Sequence, residues 1–227
     1  MHLISKIRRK LRTLVYGNFN VPIGNDYMGR KAKVYETSRQ DEIFWKKESE
    51  YVKKTITQLI GTENIETVLD LPSGTGRFFP MYEALNLKYI GGDLSDDMLL
   101  EGDKKIKNDE LGQNSRMSST NIPLPSNSVD IIVCLRFLQW IIPFKEVKKT
   151  LQEFHRVSRK YCILEFCVGK HEKPTIFTNY NLTMWDNFNM SEIENLLGKH
   201  SFKVLSTVCL GDDKENPNLT TFLCEKI

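Results

Sequence analysis

Two carboxylates and two glycines carry the first chemical signal in this chain. In Thr67-Val68-Leu69-Asp70-Leu71-Pro72-Ser73-Gly74-Thr75-Gly76-Arg77-Phe78 a short apolar run ends in an acid, and a turn with two glycines follows. Glycine lacks a Cβ, so its backbone can approach a ligand closely and take positive φ. In Tyr89-Ile90-Gly91-Gly92-Asp93-Leu94-Ser95-Asp96-Asp97-Met98-Leu99 a second strand-like run ends in Asp93. A carboxylate at that place can accept from both hydroxyls of a ribose diol. One at Asp70 can bind a polar or cationic group. This is how a parallel α/β sheet presents a nucleotide-like ligand at its carboxyl edge. Plainer roles remain open for both acids. Asp70 could cap its own turn. Asp93 could cap a helix, although Ser95, Asp96 and Asp97 already offer that chemistry.

A dinucleotide fingerprint, Gly-x-Gly-x-x-Gly, wants a small residue where Phe79 stands. The two segments instead resemble motifs I and II of class I S-adenosylmethionine (SAM)-dependent methyltransferases. Within that class they look most like the ubiquinone- and menaquinone-biosynthesis group. The resemblance implies SAM as methyl donor and S-adenosylhomocysteine (SAH) as product. It assigns Asp70 to the methionine end, with Pro72, Ser73, Gly74 and Gly76 forming the loop around it. Asp93 takes the ribose, while Leu94 and Met98 pack on the adenine. Met98 suits core filling nearly as well. The family pattern reads V-L-D-x-G-x-G-x-G, and Pro72 stands at its first glycine, a position that therefore needs no positive φ.

A third stretch, Asn121 to Asp130, is similar to the family segment n-L-P-F-p-x-x-s-F-D. The acid that often binds the adenine amine is replaced by Ser118, so the hydroxyls of Ser118 and Ser119 are expected to substitute. Asp130 is expected to pin the start of the next strand. Cys134-Leu135-Arg136-Phe137-Leu138-Gln139-Trp140 then lies at a strand tip, with Leu135 on the cofactor side. Gln139 and Trp140 stand where relatives often have a His-His pair, which argues against a histidine base there.

Transfer from a sulfonium is an SN2 step that mainly needs in-line placement and desolvation. A general base is required only for an unactivated hydroxyl. Arg136, Gln139 and Glu165 are the candidates for a catalytic part, with His155 as a further candidate base. Arg136 could bind a carboxylate or phosphate on the substrate or simply lie on the surface, Glu165 could be a buried paired acid, and His155 an ordinary helix residue. The acceptor pocket is expected from an N-terminal lid with Tyr27, Arg30, Tyr35, Arg39, Phe44 and Trp45. Arg136 and Trp140 should complete it, with Phe177, Tyr180, Asn181, Trp185 and Phe188 from residues 170–190. The lid aromatics could equally form a small core of their own.

The elements that must position these groups alternate strictly. Strands are expected at 67–71, 88–93, 114–118, 129–135, 160–167, 202–210 and 219–226. Helices are expected at 41–60, 77–86, 96–107, 145–157 and 191–199. The fold class that follows is α/β: a seven-stranded, mostly parallel sheet with helices on both faces. Its last strand is antiparallel, as in the resembling class, and an N-terminal helical lid is added. Residues 1–40 form the leader and lid, and residues 41–227 the methyltransferase domain.

The chain has 227 residues and a net charge of +3. Eight basic residues and one acid fall in residues 1–33, leaving the leader at +7 and the body at −4. Leu3, Ile4, Ile7, Leu11, Leu14 and Val15 recur at helical spacing among Lys6, Arg8, Arg9, Lys10 and Arg12, so residues 2–16 read as a basic amphipathic helix. It can dock on the body, lie on an anionic membrane surface, or contact RNA or protein. The acidic body does not suit nucleic acid.

The five cysteines show no C-x-x-C and do not cluster with the four histidines. Buried free thiols in a cytoplasmic protein and no metal site are expected. No stretch suggests a membrane span or a signal peptide. The absence of Asp/Asn-Pro-Pro-Tyr/Phe and of Pro-Cys argues against DNA-base methylation. The expected activity is methyl transfer to a small-molecule or membrane-associated, lipid-like metabolite. The alternative is a methyltransferase-like binding or scaffold protein without turnover.

Overall fold

The computed structural model describes residues 27–39, 42–141, 144–168, 175–179, 182–186, 188–210 and 219–227. The leader helix expected over residues 2–16 lies outside them, as do Tyr180 and Asn181. For Phe177 and Trp185 the backbone alone is described.

Three central strands carry mostly apolar runs, and their alternating side chains serve two cores. These are β1 (Thr67–Asp70), β4 (Val129–Cys134) and β5 (Ser158–Cys167). Val68, Ile131, Val133 and Ile163 pack on one face with Val52, Ile56, Phe79 and Tyr82. Leu69, Ile132, Cys134, Cys162 and Leu164 pack on the other with Leu151, Phe154, Ile193 and Leu197. The first set of helices is α2 (Ile43–Thr62) and α3 (Phe79–Ala84), following a short α1 (Arg30–Val34) in the lid. The second is α5 (Phe144–Val157) and α6 (Met190–Lys199). Between them in sequence lie β2 (Lys88–Asp93), α4 (Asp96–Asp103) and β3 (Gly112–Arg116). Two hydrophobic faces covered by helices make a three-layer α/β domain.

A hairpin of β6 (Thr175–Asn179) and β7 (Leu182–Asp186) follows β5, and the chain closes with β8 (Phe202–Cys209) and β9 (Leu219–Lys226). The main sheet runs β3-β2-β1-β4-β5-β9-β8. All pairings through β5 are parallel, and β9 runs antiparallel to both β5 and β8. The order reverses between β1 and β4, and such a switch point opens a crevice at the carboxyl ends of the strands. Asp130 anchors β4 against β1: its Oδ2 accepts from the Glu66 and Thr67 amides and the Thr67 hydroxyl, and Arg159 pairs with Oδ1 at 2.9 Å.

Several boundaries differ from the sequence reading. The helix after the glycine turn begins at Phe79, two residues late, because Pro80 lacks an N–H and fits only a first turn. The edge strand β3 starts at Gly112, not 114. The β6–β7 hairpin was not anticipated. On α2 the apolar Ile43 is 71% exposed, while the acid Glu48 is buried. Cys209 is exposed on β8, and the other four thiols are buried. Helix α6 carries a full capping box between Asn189 and Glu192, the local signal that marks its start.

Candidate active site

A cleft of about 550 Å³ opens where β1, β2 and β4 end. That size falls within the ~300–1,000 Å³ of small-molecule sites. One half is built by the loops after β1 and β2. Asp70, Pro72, Ser73 and Gly74 line it, with Asp93, Leu94 and Met98 opposite and Leu135 at the tip of β4. The Leu71–Pro72 peptide is cis, and Gly74 takes φ +55°, a conformation that side-chain-bearing residues rarely adopt. Gly76, at φ +63°, turns away from the cleft: an added Cβ there would stand 3.4 Å from Gly102 of α4. Its role is close packing of loop on helix, and it does not line the cleft as expected.

Asp93 organises the turn beside it. Its Oδ2 accepts from the Gly74 amide at 3.0 Å and its Oδ1 from the Ser95 amide at 2.8 Å. Each oxygen thus has one N–H donor and retains acceptor capacity. Burial raises its pKa, opposed by those backbone donors. Ser95 itself caps α4, accepting from Met98 N at 3.3 Å. Asp70 is 3% exposed, and its Oδ2 has no hydrogen-bond partner. Burial pushes its pKa up to about 8; the nearby Asp93 charge adds to this and Arg77 opposes it.

Of the two serines expected near adenine, Ser119 lines the cleft and Ser118 does not. Ser118 Oγ is spent on Thr120 Oγ1 at 3.0 Å in its own turn. Ser119 Oγ pairs with Thr150 Oγ1 of α5 at 3.0 Å. Met117 occupies the adjoining wall, which sequence reasoning missed.

The other half faces the lid. Tyr27, Tyr35, Arg39 and Trp45 line it from the N-terminal side, and Arg136, Gln139 and Trp140 from the tip of β4. Tyr27, Tyr35 and Trp45 form a file of edge-on rings with centroids 5.4 and 6.0 Å apart. The lid is tied down by Ser95 Oγ donating to Tyr27 O at 2.7 Å and by Gly29 N donating to Asp97 at 2.7 Å. Glu36 adds an ion pair with Lys105 and accepts from Thr75 Oγ1 at 3.1 Å. Arg30 is exposed, and Phe44 is buried behind the wall.

Arg136 is no surface residue. It pairs with the fully buried Glu48, Nε lying 3.1 Å from Oε2, and Arg77 Nη2 meets the same carboxylate at 2.6 Å. Burial would raise the Glu48 pKa, but the two guanidinium groups outweigh it and hold the acid below its usual range. Glu165 is completely buried and does not line the cleft. It accepts from Arg136 N at 2.8 Å and from Gln139 Nε2 at 3.4 Å. Burial and the Glu48 charge push its pKa well above the usual carboxylate range. A buried acid behind the wall positions Arg136 and Gln139 and is not an accessible base. His155 packs on Phe202, also away from the cleft. Arg77 and Glu48 were absent from the sequence reading. The available signals were a charge immediately after Gly76 and an acid on the apolar stripe of α2.

Residues 69–164 match the family model of a methyltransferase domain. The match does not single out the ubiquinone- and menaquinone-biosynthesis group. No curated protein matches the sequence. Among solved structures the chain is similar to Burkholderia thailandensis 1,6-didemethyltoxoflavin-N1-methyltransferase with bound 1,6-didemethyltoxoflavin and SAH. The TM-score is 0.69 and the identity 14%, covering 89% of this chain and 86% of that one. It is also similar to a SAM-dependent methyltransferase from Clostridium acetobutylicum (TM-score 0.64, 16% identity, 87% and 98% covered). Magnesium protoporphyrin IX methyltransferase from Synechocystis with bound SAH is a third (TM-score 0.61, 15% identity, 80% and 84% covered).

Proposed function

We propose that this chain is a SAM-dependent methyltransferase of class I, whose cleft holds SAM across the β1 and β2 tips and a small-molecule acceptor under the lid. The observation that carries the placement is Asp93: each carboxylate oxygen holds one backbone amide and keeps a lone pair facing the requirements of a ribose diol. Asp70 fits the same ligand, since a buried carboxylate oxygen without a partner suits a cationic amino-acid end. Leu94, Met98, Met117 and Ser119 would enclose the adenine, and Pro72, Ser73, Gly74 and Leu135 the remainder.

SAM, when bound, supplies an electrophilic methyl group on a sulfonium. The chain's own residues then bind, orient and exclude water. Trp45, Trp140 and the lid tyrosines wall the acceptor side, where desolvation and placement can supply several of the ~7–11 kcal/mol available from orientation. With Glu165 buried behind the wall and out of the cleft, an acceptor that ionises easily or is already nucleophilic suits this site best. Calorimetric titration with SAH tests the reading, since Asp93→Ala should weaken binding while the fold persists. Unchanged affinity would reject the ribose assignment. Turnover of labelled SAM with a metabolite extract then tests the acceptor class.

Residues 1–40 are read as leader and lid ahead of the domain over 41–227. Among the described residues no helix is long and apolar enough to cross a membrane. The basic helix expected at 2–16 would let the enzyme sit on an anionic membrane surface. A form starting near Val21 should keep SAH binding, and only the full chain should co-sediment with anionic vesicles, less so at high salt. Equal sedimentation of both forms would dismiss the anchor. Loss of folding in the shorter form would make the helix a docked cap.

A further inference from the structure

The cleft separates charge. Carboxylates stand at the β1 and β2 tips, and on the acceptor side the guanidinium groups of Arg39, Arg77 and Arg136 outnumber the one lining carboxylate among the described residues, Glu42. Glu48 fixes two of them. Its Oε2 lies 2.6 Å from Arg77 Nη2 and 3.1 Å from Arg136 Nε. Aromatic faces hold the same groups flat. Arg77 sits 3.9 Å from the Trp45 ring centroid and 4.2 Å from that of Phe78. Arg136 sits 4.5 Å from Phe44. Both side chains are 11% exposed and both line the cleft. Arg136 also takes φ +54°, uncommon without glycine, and Glu165 catches its backbone N–H there.

Each of these arginines retains a buried nitrogen without a hydrogen-bond partner: Nη1 of Arg77 and Nη2 of Arg136. Glu42 lies 3.6 Å from the latter, close enough for attraction and too far for a hydrogen bond. A third guanidinium, that of Arg39, lines the cleft from the lid, over the Tyr35 ring at 4.8 Å. Among the described residues it has no carboxylate partner. Desolvated charged N–H groups left without a hydrogen bond are costly, and a planar fork matches the two oxygens of a carboxylate.

We propose that the acceptor is a small carboxylate, bound by the free donors of Arg77 and Arg136 within the cleft and by Arg39 from the lid. The proposal rests on the methyltransferase reading, which leaves the acceptor unspecified. Glu48 is here a positioning residue: it aims both forks and touches no ligand.

The test is titration of the full chain with benzoate and with benzamide, each with and without saturating SAH, read by tryptophan fluorescence and calorimetry. Benzoate should bind the SAH complex at least tenfold more tightly than benzamide. Arg39→Gln should remove most of that preference and leave SAH affinity within twofold. Arg136→Lys, which keeps the charge and loses the fork, should weaken benzoate in the same sense. If Arg136→Lys does not fold, Arg39→Gln decides alone. Equal binding of benzoate and benzamide would overturn the proposal. So would displacement of SAH by benzoate, which would assign the arginines to the amino-acid carboxylate of the cofactor. Benzoate binding without any SAH binding would leave the anion site standing and reject the cofactor reading instead.

Discussion

The two halves of the cleft are held by different kinds of contact. On the β1–β2 side the organising acid finds its partners nearer in sequence: Asp93 accepts from the Ser95 and Gly74 amides, two and nineteen residues away. On the lid side the partners are distant. Arg77 and Glu48 are 29 residues apart, Arg136 and Glu48 are 88, and Arg136 and Glu165 are 29. The first half is therefore set by strand tips and turn geometry. The second exists only when α2, β4 and β5 have packed together. A mutation in the first should cost ligand, whereas one in the second should cost stability and site together.

The largest effect is expected at Glu48. Glu48→Ala strands two buried guanidinium groups and should cost ~3–5 kcal/mol in urea unfolding. A loss below about 1 kcal/mol would remove the contrast between the halves. Next, Asp93→Ala should weaken SAH by ~1–3 kcal/mol in calorimetry, the range for lost hydrogen bonds to a charged acceptor. Its unfolding midpoint should move less than that of Glu48→Ala, and the reverse ranking would contradict the division drawn here.

A subtler effect concerns pH. Asp70 has its carboxyl raised to about 8 in the folded chain, above the ~3.9 of an unfolded aspartate. The native state therefore holds more protons than the unfolded state between those values. Its contribution to stability is fully present below pH ~4 and is lost as pH rises through about 8. A cationic ligand prefers the ionised form, so SAM should bind with proton release, and its affinity should rise with pH up to about 8. Asp70→Asn should flatten both profiles. Proton uptake measured in two calorimetric buffers would refute the pairing. The smallest effect is expected at Ser118, whose hydroxyl serves only its own turn. Ser118→Ala should change SAH affinity and stability by less than ~0.5 kcal/mol, and a larger loss of SAH would return the serine to the site.

What was legible in the sequence follows the same division. Asp70, Gly74 and Asp93 could be placed because a strand that ends in an acid and a glycine turn puts that acid at the sheet edge, whatever lies elsewhere in the chain. The antiparallel close by β9 was legible from two apolar runs joined by turn residues. Ser118 and Ser119 were harder. Neighbouring residues on an extended chain face opposite ways, and one residue of register decides which reaches the cleft.

Glu48 and Arg77 escaped because each looks ordinary alone. An acid on a helix usually meets water, and an arginine after a glycine loop usually does too. Glu165 was visible as a candidate base or a buried paired acid, but the choice between them and its raised pKa were not. Those come from the Glu48 carboxylate brought against it by α2 and from the absence of solvent. Local chemistry along single strands thus determined the fold and the acids at the strand tips that line the cleft. Only tertiary packing decided which charges lost their water, because desolvation depends on neighbours from every element that closes around them.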